Sequence, residues 1–68
     1  MNIYGLTTSG DAIARNPRNP SDKAHQIIGY LYRVNRATLE QIADYVHLTP
    51  FETSMIIRRR LKGIVGKE

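Results

Sequence analysis

Arg58, Arg59, Arg60 and Lys62 crowd four permanent cations into five residues, the densest chemistry in the chain. Guanidinium and ammonium groups at that spacing can hold phosphates, and four neutralised phosphates would give a log–log salt slope of roughly −3 to −4. The plainer reading is a solvated helix end whose cations complement the helix dipole. Just upstream, Thr53 can hydrogen-bond a base edge, and Met55 or Ile56 can touch a thymine methyl. An outward Met and Ile equally suit a protein interface. The candidate contact residues are therefore Thr49, Phe51, Thr53, Ile56, Arg58, Arg59, Arg60 and Lys62.

Other chemistries find little here. His25 and His47 have no cysteine or carboxylate at ligand spacing, and the chain has no cysteine at all, which argues against a metal site and a disulfide. No glycine-rich phosphate loop occurs. Ser9, Ser21 and Ser54 lack His and Asp companions for a nucleophilic triad. A core of 68 residues also leaves little room for an active-site pocket. Neither an enzyme nor a cofactor is expected, and no small-molecule ligand is evident.

The cations must be positioned by helices, and the start signals are clear. Thr38-Leu39-Glu40-Gln41 and Thr49-Pro50-Phe51-Glu52 both fit the capping-box pattern. Pro50 would occupy the first helical position, where its missing N–H costs nothing. One helix is expected over about Thr38–His47, with Leu39, Ile42, Ala43 and Val46 on one stripe. The turn His47-Leu48-Thr49 leads to a basic helix over about Pro50–Lys62, ended by Gly63 as its cap. Its inward stripe is read as Ser54, Ile57 and Leu61, which turns Glu52, Met55, Ile56 and Arg59 outward and puts Phe51, Thr53, Arg58 and Arg60 on the flanks. Ile64-Val65 reads as a short strand. Two short helices joined this way, the second cationic, suit entry into the DNA major groove.

The N-terminal half supplies the rest. Met1–Leu6 reads as one strand. Thr8-Ser9-Gly10-Asp11 looks like a helix start, with a short helix over about Ser9–Arg15. Asn16-Pro17-Arg18-Asn19-Pro20 is a stiff, extended linker, and Arg15 and Arg18 beside it could form a basic arm for a minor groove, or simply be solvated. Ser21 is expected to cap a helix running to about Val34, with Ala24, Ile27, Ile28, Leu31 and Val34 at helical spacing. Gly29 in its middle suggests close packing against a neighbour or a simple tolerance. Tyr30 and Tyr32 fall off the inward stripe, where they could line a dimer contact, support a DNA backbone or be partly buried. Asn35-Arg36-Ala37 is a turn with room for a very short strand.

From Ser21 to Val65 the chain resembles a winged helix-turn-helix domain. Arg36-Ala37-Thr38-Leu39-Glu40-Gln41-Ile42-Ala43 is similar to the opening of the positioning helix in such domains. Leu48-Thr49-Pro50 is similar to their turn into the recognition helix, and Gly63-Ile64-Val65 to the lead into the wing. The resemblance implies a mostly α fold: a winged-helix-like three-helix core, an additional short N-terminal helix, and a minimal two-stranded sheet with a truncated wing. Three residues after Val65 leave no room for a full wing hairpin. Tyr4-Gly5-Leu6-Thr7-Thr8-Ser9-Gly10 resembles the segment that ordinarily follows the wing, displaced to the N-terminus. It could pair with Ile64–Val65 in the same chain, pair between subunits, or mark a piece of a longer tandem protein.

Charge and size complete the expectations. The net charge is +4, and five of the ten basic residues lie between Arg58 and Lys67. Glu40 and Asp44 must then face away from any phosphate. No apolar run reaches the length of about 20 residues that spans a bilayer, and no signal peptide is evident, so the cytoplasm is the default location. So small a core has a marginal stability. With no disulfide or metal to staple it, a homodimer is expected. The whole chain, residues 1–68, is read as one domain, with 1–20 as strand, helix and linker and 21–65 as the helix-turn-helix core. The expected function is double-stranded DNA binding, as a small transcriptional or replication regulator. A protein–protein module that never touches nucleic acid is the alternative, and an RNA-binding domain is a third possibility.

Overall fold

A computed structural model describes residues 3–15 and 22–67. The linker 16–20, Arg18, Ser21 and the first two residues of the expected N-terminal strand lie outside the described residues. The elements run β1 (Ile3–Leu6), α1 (Thr8–Arg15), α2 (Lys23–Val34), β2 (Arg36–Thr38), α3 (Leu39–Val46), α4 (Pro50–Arg59) and β3 (Val65–Lys67). The fold is mostly helical, with one small antiparallel sheet.

That sheet has three strands in the order β2-β1-β3, not the two expected. The extra strand comes from the Asn35–Ala37 turn, where Tyr4 pairs with Ala37 and Gly5 with Arg36. On its other side β1 pairs within the same chain, Leu6 with Val65 and Tyr4 with Lys67. The last strand therefore begins at Val65 and reaches Lys67, one step later than Ile64-Val65.

The N-terminal strand is tied to the end of the chain by one threonine. Thr7 donates its N–H to the Ile64 carbonyl at 2.9 Å and its hydroxyl to the Gly63 carbonyl at 2.7 Å. The same Thr7 oxygen accepts the Gly10 N–H at 3.2 Å, so it caps α1. Gly10 is buried there, and a Cβ on it would collide with the Ile64 carbonyl oxygen.

Helices α2 and α3 bury most of the stripes that their spacing predicts. Ala24, Ile27, Ile28 and Leu31 of α2 meet Ile42 and Val46 of α3, with Ile57, Leu61, Tyr4, Ala37 and Val65 closing the core. Each full burial of a Leu- or Ile-sized side chain contributes about 1.5–3 kcal/mol. Val34 departs from its stripe and is exposed at the end of α2. The α2 cap is Asp22, whose carboxylate accepts the Ala24 N–H at 2.9 Å. Close packing does not explain Gly29, because a Cβ there would meet nothing within 4 Å.

Candidate nucleic-acid interface

Local chemistry fixes α3 and α4 at their starts. Thr38 accepts the Gln41 N–H at 3.2 Å while the Gln41 side chain accepts the Thr38 N–H at 2.9 Å. Thr49 and Glu52 repeat the exchange at 3.1 and 3.2 Å. Both capping boxes are complete, with Pro50 in the first turn of α4. Between the helices His47 adopts a left-handed conformation, φ 59°, and the Leu48 N–H bonds back to the Ala43 carbonyl at 3.0 Å. That geometry stops α3 and reverses the chain in three residues. The Lys23 ammonium donates to the Val46 carbonyl at 2.6 Å, a cation where the α3 dipole ends.

Helix α4 is rotated from the phase expected for it. Thr53, not Ser54, shares the inward stripe with Ile57, and Thr53 is 0% exposed. Its hydroxyl donates to the Thr49 carbonyl one turn back at 3.0 Å, so it enters the core satisfied. Thr53 is therefore corrected from a base-reading residue to a core residue. Ile56 is half-buried and packs against the core, so only part of its side chain is left at the surface. The helix also ends at Arg59, with Arg60 as its cap, whereas Gly63 takes φ 80° in the turn beyond.

The remaining candidates divide. Thr49 is exposed, but its hydroxyl is engaged with Glu52 in the capping box. Arg60 reaches 38 residues back to Asp22, Nη1 to Oδ1 at 3.1 Å and Nη2 to Oδ2 at 2.6 Å. A bidentate pair of this kind is directional and ties the end of α4 to the start of α2. It holds the Asp22 carboxyl below its ordinary value of 3.8, helped by the Ala24 N–H. Arg60 is thus a strut. Arg58, Arg59 and Lys62 are exposed, and among the described residues none has a carboxylate partner. Phe51, 73% exposed in the first turn of α4, stands on the same outward side as Met55 and Arg58 by the 100° step.

A surface cleft runs beside this helix. Arg58, Lys62 and Lys67 line it with Ser54 and Tyr4, over a floor that includes Leu39, Ile57 and Val65. Among the described residues no carboxylate lines it, and their charges there are all positive. Lys67 and Ser54 were not among the expected contact residues. Lys67 joins the others only because β3 extends to it and pairs beside Tyr4. Glu40 and Asp44 are exposed on α3, opposite its buried stripe, and do not line the cleft. Arg15 is paired with Asp11 at 3.0 Å, within α1. Tyr30 stacks on Tyr45 of α3 with ring centroids 4.4 Å apart, while Tyr32 is exposed.

Among the described residues no helix is long and apolar enough to cross a membrane, and no cluster of His, Cys, Asp or Glu forms a metal-binding group. Compared with protein-family models, curated proteins and solved structures, the chain matches none of them significantly.

Proposed function

We propose that this protein is a winged-helix-like nucleic-acid-binding domain that grips duplex DNA through α4 and the cationic cleft beside it. The observation that carries the reading is the cluster of exposed Arg58, Lys62 and Lys67 in the cleft beside α4, without a carboxylate partner among the described residues. Arg58, Lys62 and Lys67 hold the phosphate backbone along the cleft, while the start of α4 enters the major groove. Phe51 and Met55 then face the bases, where an apolar contact with a thymine methyl is the available readout. Such a surface binds backbone strongly and discriminates sequence weakly, because side chains with paired donors and acceptors are scarce on it. A small regulator of transcription or replication, acting as a homodimer in the cytoplasm, is the role this reading suggests.

Fluorescence titration against random duplex at two salt concentrations tests it. Affinity should fall with a log–log slope of about −3 if three phosphates are neutralised. Absence of binding at low salt, or binding unchanged by Arg58→Ala with Lys62→Ala, would sink the reading. A preference for structured RNA in the same titration would shift it to RNA. The second reading, a protein–protein module, is favoured by Phe51: so exposed an aromatic next to half-buried Met55 suits a protein anchor.

A further inference from the structure

We propose that a notch on α2, walled by α1 and α3, binds a small aromatic carboxylate. The proposal is independent of the nucleic-acid reading and runs against the expectation that no small ligand is bound. His25, Gly29 and Arg33 stand four residues apart and so form one row along the helix, each about 6 Å from the next. Glycine is the poorest helix former after proline, and nothing packs where its Cβ would be. Its absent side chain opens the middle of a cavity of about 240 Å³, with Ile13 of α1 on one side and the stacked Tyr30 and Tyr45 on the other.

The two ends of the row are polar and unanswered. His25 Nδ1 is buried without a hydrogen-bond partner. Arg33 lines the same cavity with no carboxylate partner among the described residues. Asp11, which lines the neighbouring cleft with Arg33, is paired with Arg15, and Asp22 at the His25 end is held by Arg60. The cavity therefore asks for an anion at the Arg33 end, a hydrogen-bonding group at the His25 end, and a flat apolar body between them. Its volume lies below the range of about 300–1,000 Å³ typical of sites for drug-sized ligands, which sets the scale at a single ring. A hydroxylated benzoate meets all four conditions: its carboxylate accepts from the Arg33 guanidinium, its ring lies against Tyr30 and Ile13, and its hydroxyl reaches the His25 end.

The probe is 4-hydroxybenzoate, added to the whole chain and followed by amide chemical shifts and tyrosine fluorescence. Saturable shifts at Gly29, Tyr30, Arg33 and Tyr45, with half-saturation at or below about 10 mM, are expected for so small a ligand. Arg33→Gln should raise the dissociation constant about tenfold for the acid, by loss of one charge-assisted bond, and leave 4-hydroxybenzyl alcohol unaffected. Gly29→Leu should abolish binding without lowering the melting temperature, because leucine favours the helix. The proposal is overturned if the shifts fail to saturate, if they fall on Arg58–Lys62 instead, or if Gly29→Leu binds as the natural chain does. Acetate giving the same shifts as 4-hydroxybenzoate would also overturn it, since charge alone would then be read.

Discussion

Gly10 lies flat against the carbonyl oxygen of Ile64, with no room between them for a single methyl group. The contact joins the first turn of α1 to the residue that precedes β3, and the Thr7 N–H donates to the same carbonyl. Gly10→Ala must push the two segments apart or break these bonds. Overpacking of this kind costs about 1–3 kcal/mol, a large part of what a domain this small holds in reserve. The urea midpoint should drop accordingly. A midpoint within error of the natural chain would mean that α1 is free to shift, and that Gly10 is not a packing requirement.

The Asp22–Arg60 pair makes an acid limb in the stability curve. Asp22 has its folded-state value lowered, first by Arg60 and then by the Ala24 N–H. Its contribution is therefore complete above the ordinary value of 3.8 and is lost as pH falls through the lower folded value. Asp22→Asn keeps an acceptor for the α2 cap but removes the charge. Thermal melts from pH 7 down to pH 2 should converge for the two chains at the acid end and separate at neutral pH. Curves that run parallel throughout would show the pair to be idle.

Arg60 should also separate from its neighbours in DNA titrations. Arg58→Ala and Lys62→Ala are each expected to reduce the salt slope by about 0.9, the release of counterions from one phosphate. Arg60→Ala should leave the slope nearly unchanged while lowering the melting temperature, since its guanidinium is committed to Asp22. The opposite pattern, a lost slope with intact stability, would return Arg60 to the contact set.

Thr53→Val distinguishes core from contact at one position. The hydroxyl donates to a carbonyl that also accepts the Thr53 N–H at 3.0 Å, so its removal leaves no orphaned group. Stability should change by less than about 1 kcal/mol, and DNA affinity should not change. Thr53→Arg, by contrast, would bury an unpaired charge and unfold the chain. If Thr53→Val weakened DNA binding at unchanged stability, the hydroxyl would have to reach the surface.

His47→Gly is expected to stabilise. A non-glycine residue at φ 59° carries a steric cost of about 1 kcal/mol that glycine does not. The flexibility of glycine in the unfolded chain offsets part of the gain. A rise of a few degrees in melting temperature, with the α3–α4 geometry retained, is the expected result. A fall would mean that the imidazole holds the turn in some way beyond its backbone.

What could be read from the sequence was what is local. The capping boxes at Thr38 and Thr49 are patterns four residues long, and both form as written. The stripes of α2 and α3 follow from one helical period. The phase of α4 was misread because Thr53 counts as polar by type yet satisfies its own hydroxyl one turn back, so it packs as a valine would. Pairings between distant residues left little local trace. That β1 would lie between β2 and β3, that Arg60 would find Asp22, and that Lys67 would join Arg58 across the cleft all depend on tertiary closure. In-chain pairing of the first and last strands is among the possibilities the sequence leaves open, and it is present.

The central place of β1 also has a bearing on how the molecule is made. Its β3 partner lies beyond all the described helices, so closing that ladder spends loop entropy before any pairing repays it. The helices need no such wait. During synthesis β1 emerges ahead of the helices described here, and the strand that will cover its second edge emerges after them. Until then that edge shows bare amides and carbonyls to every neighbouring nascent chain, the usual template for intermolecular pairing. Two glycines meet at this seam, Gly5 opposite Gly66. Neither adds a side-chain contact, so the ladder closes at that point backbone against backbone.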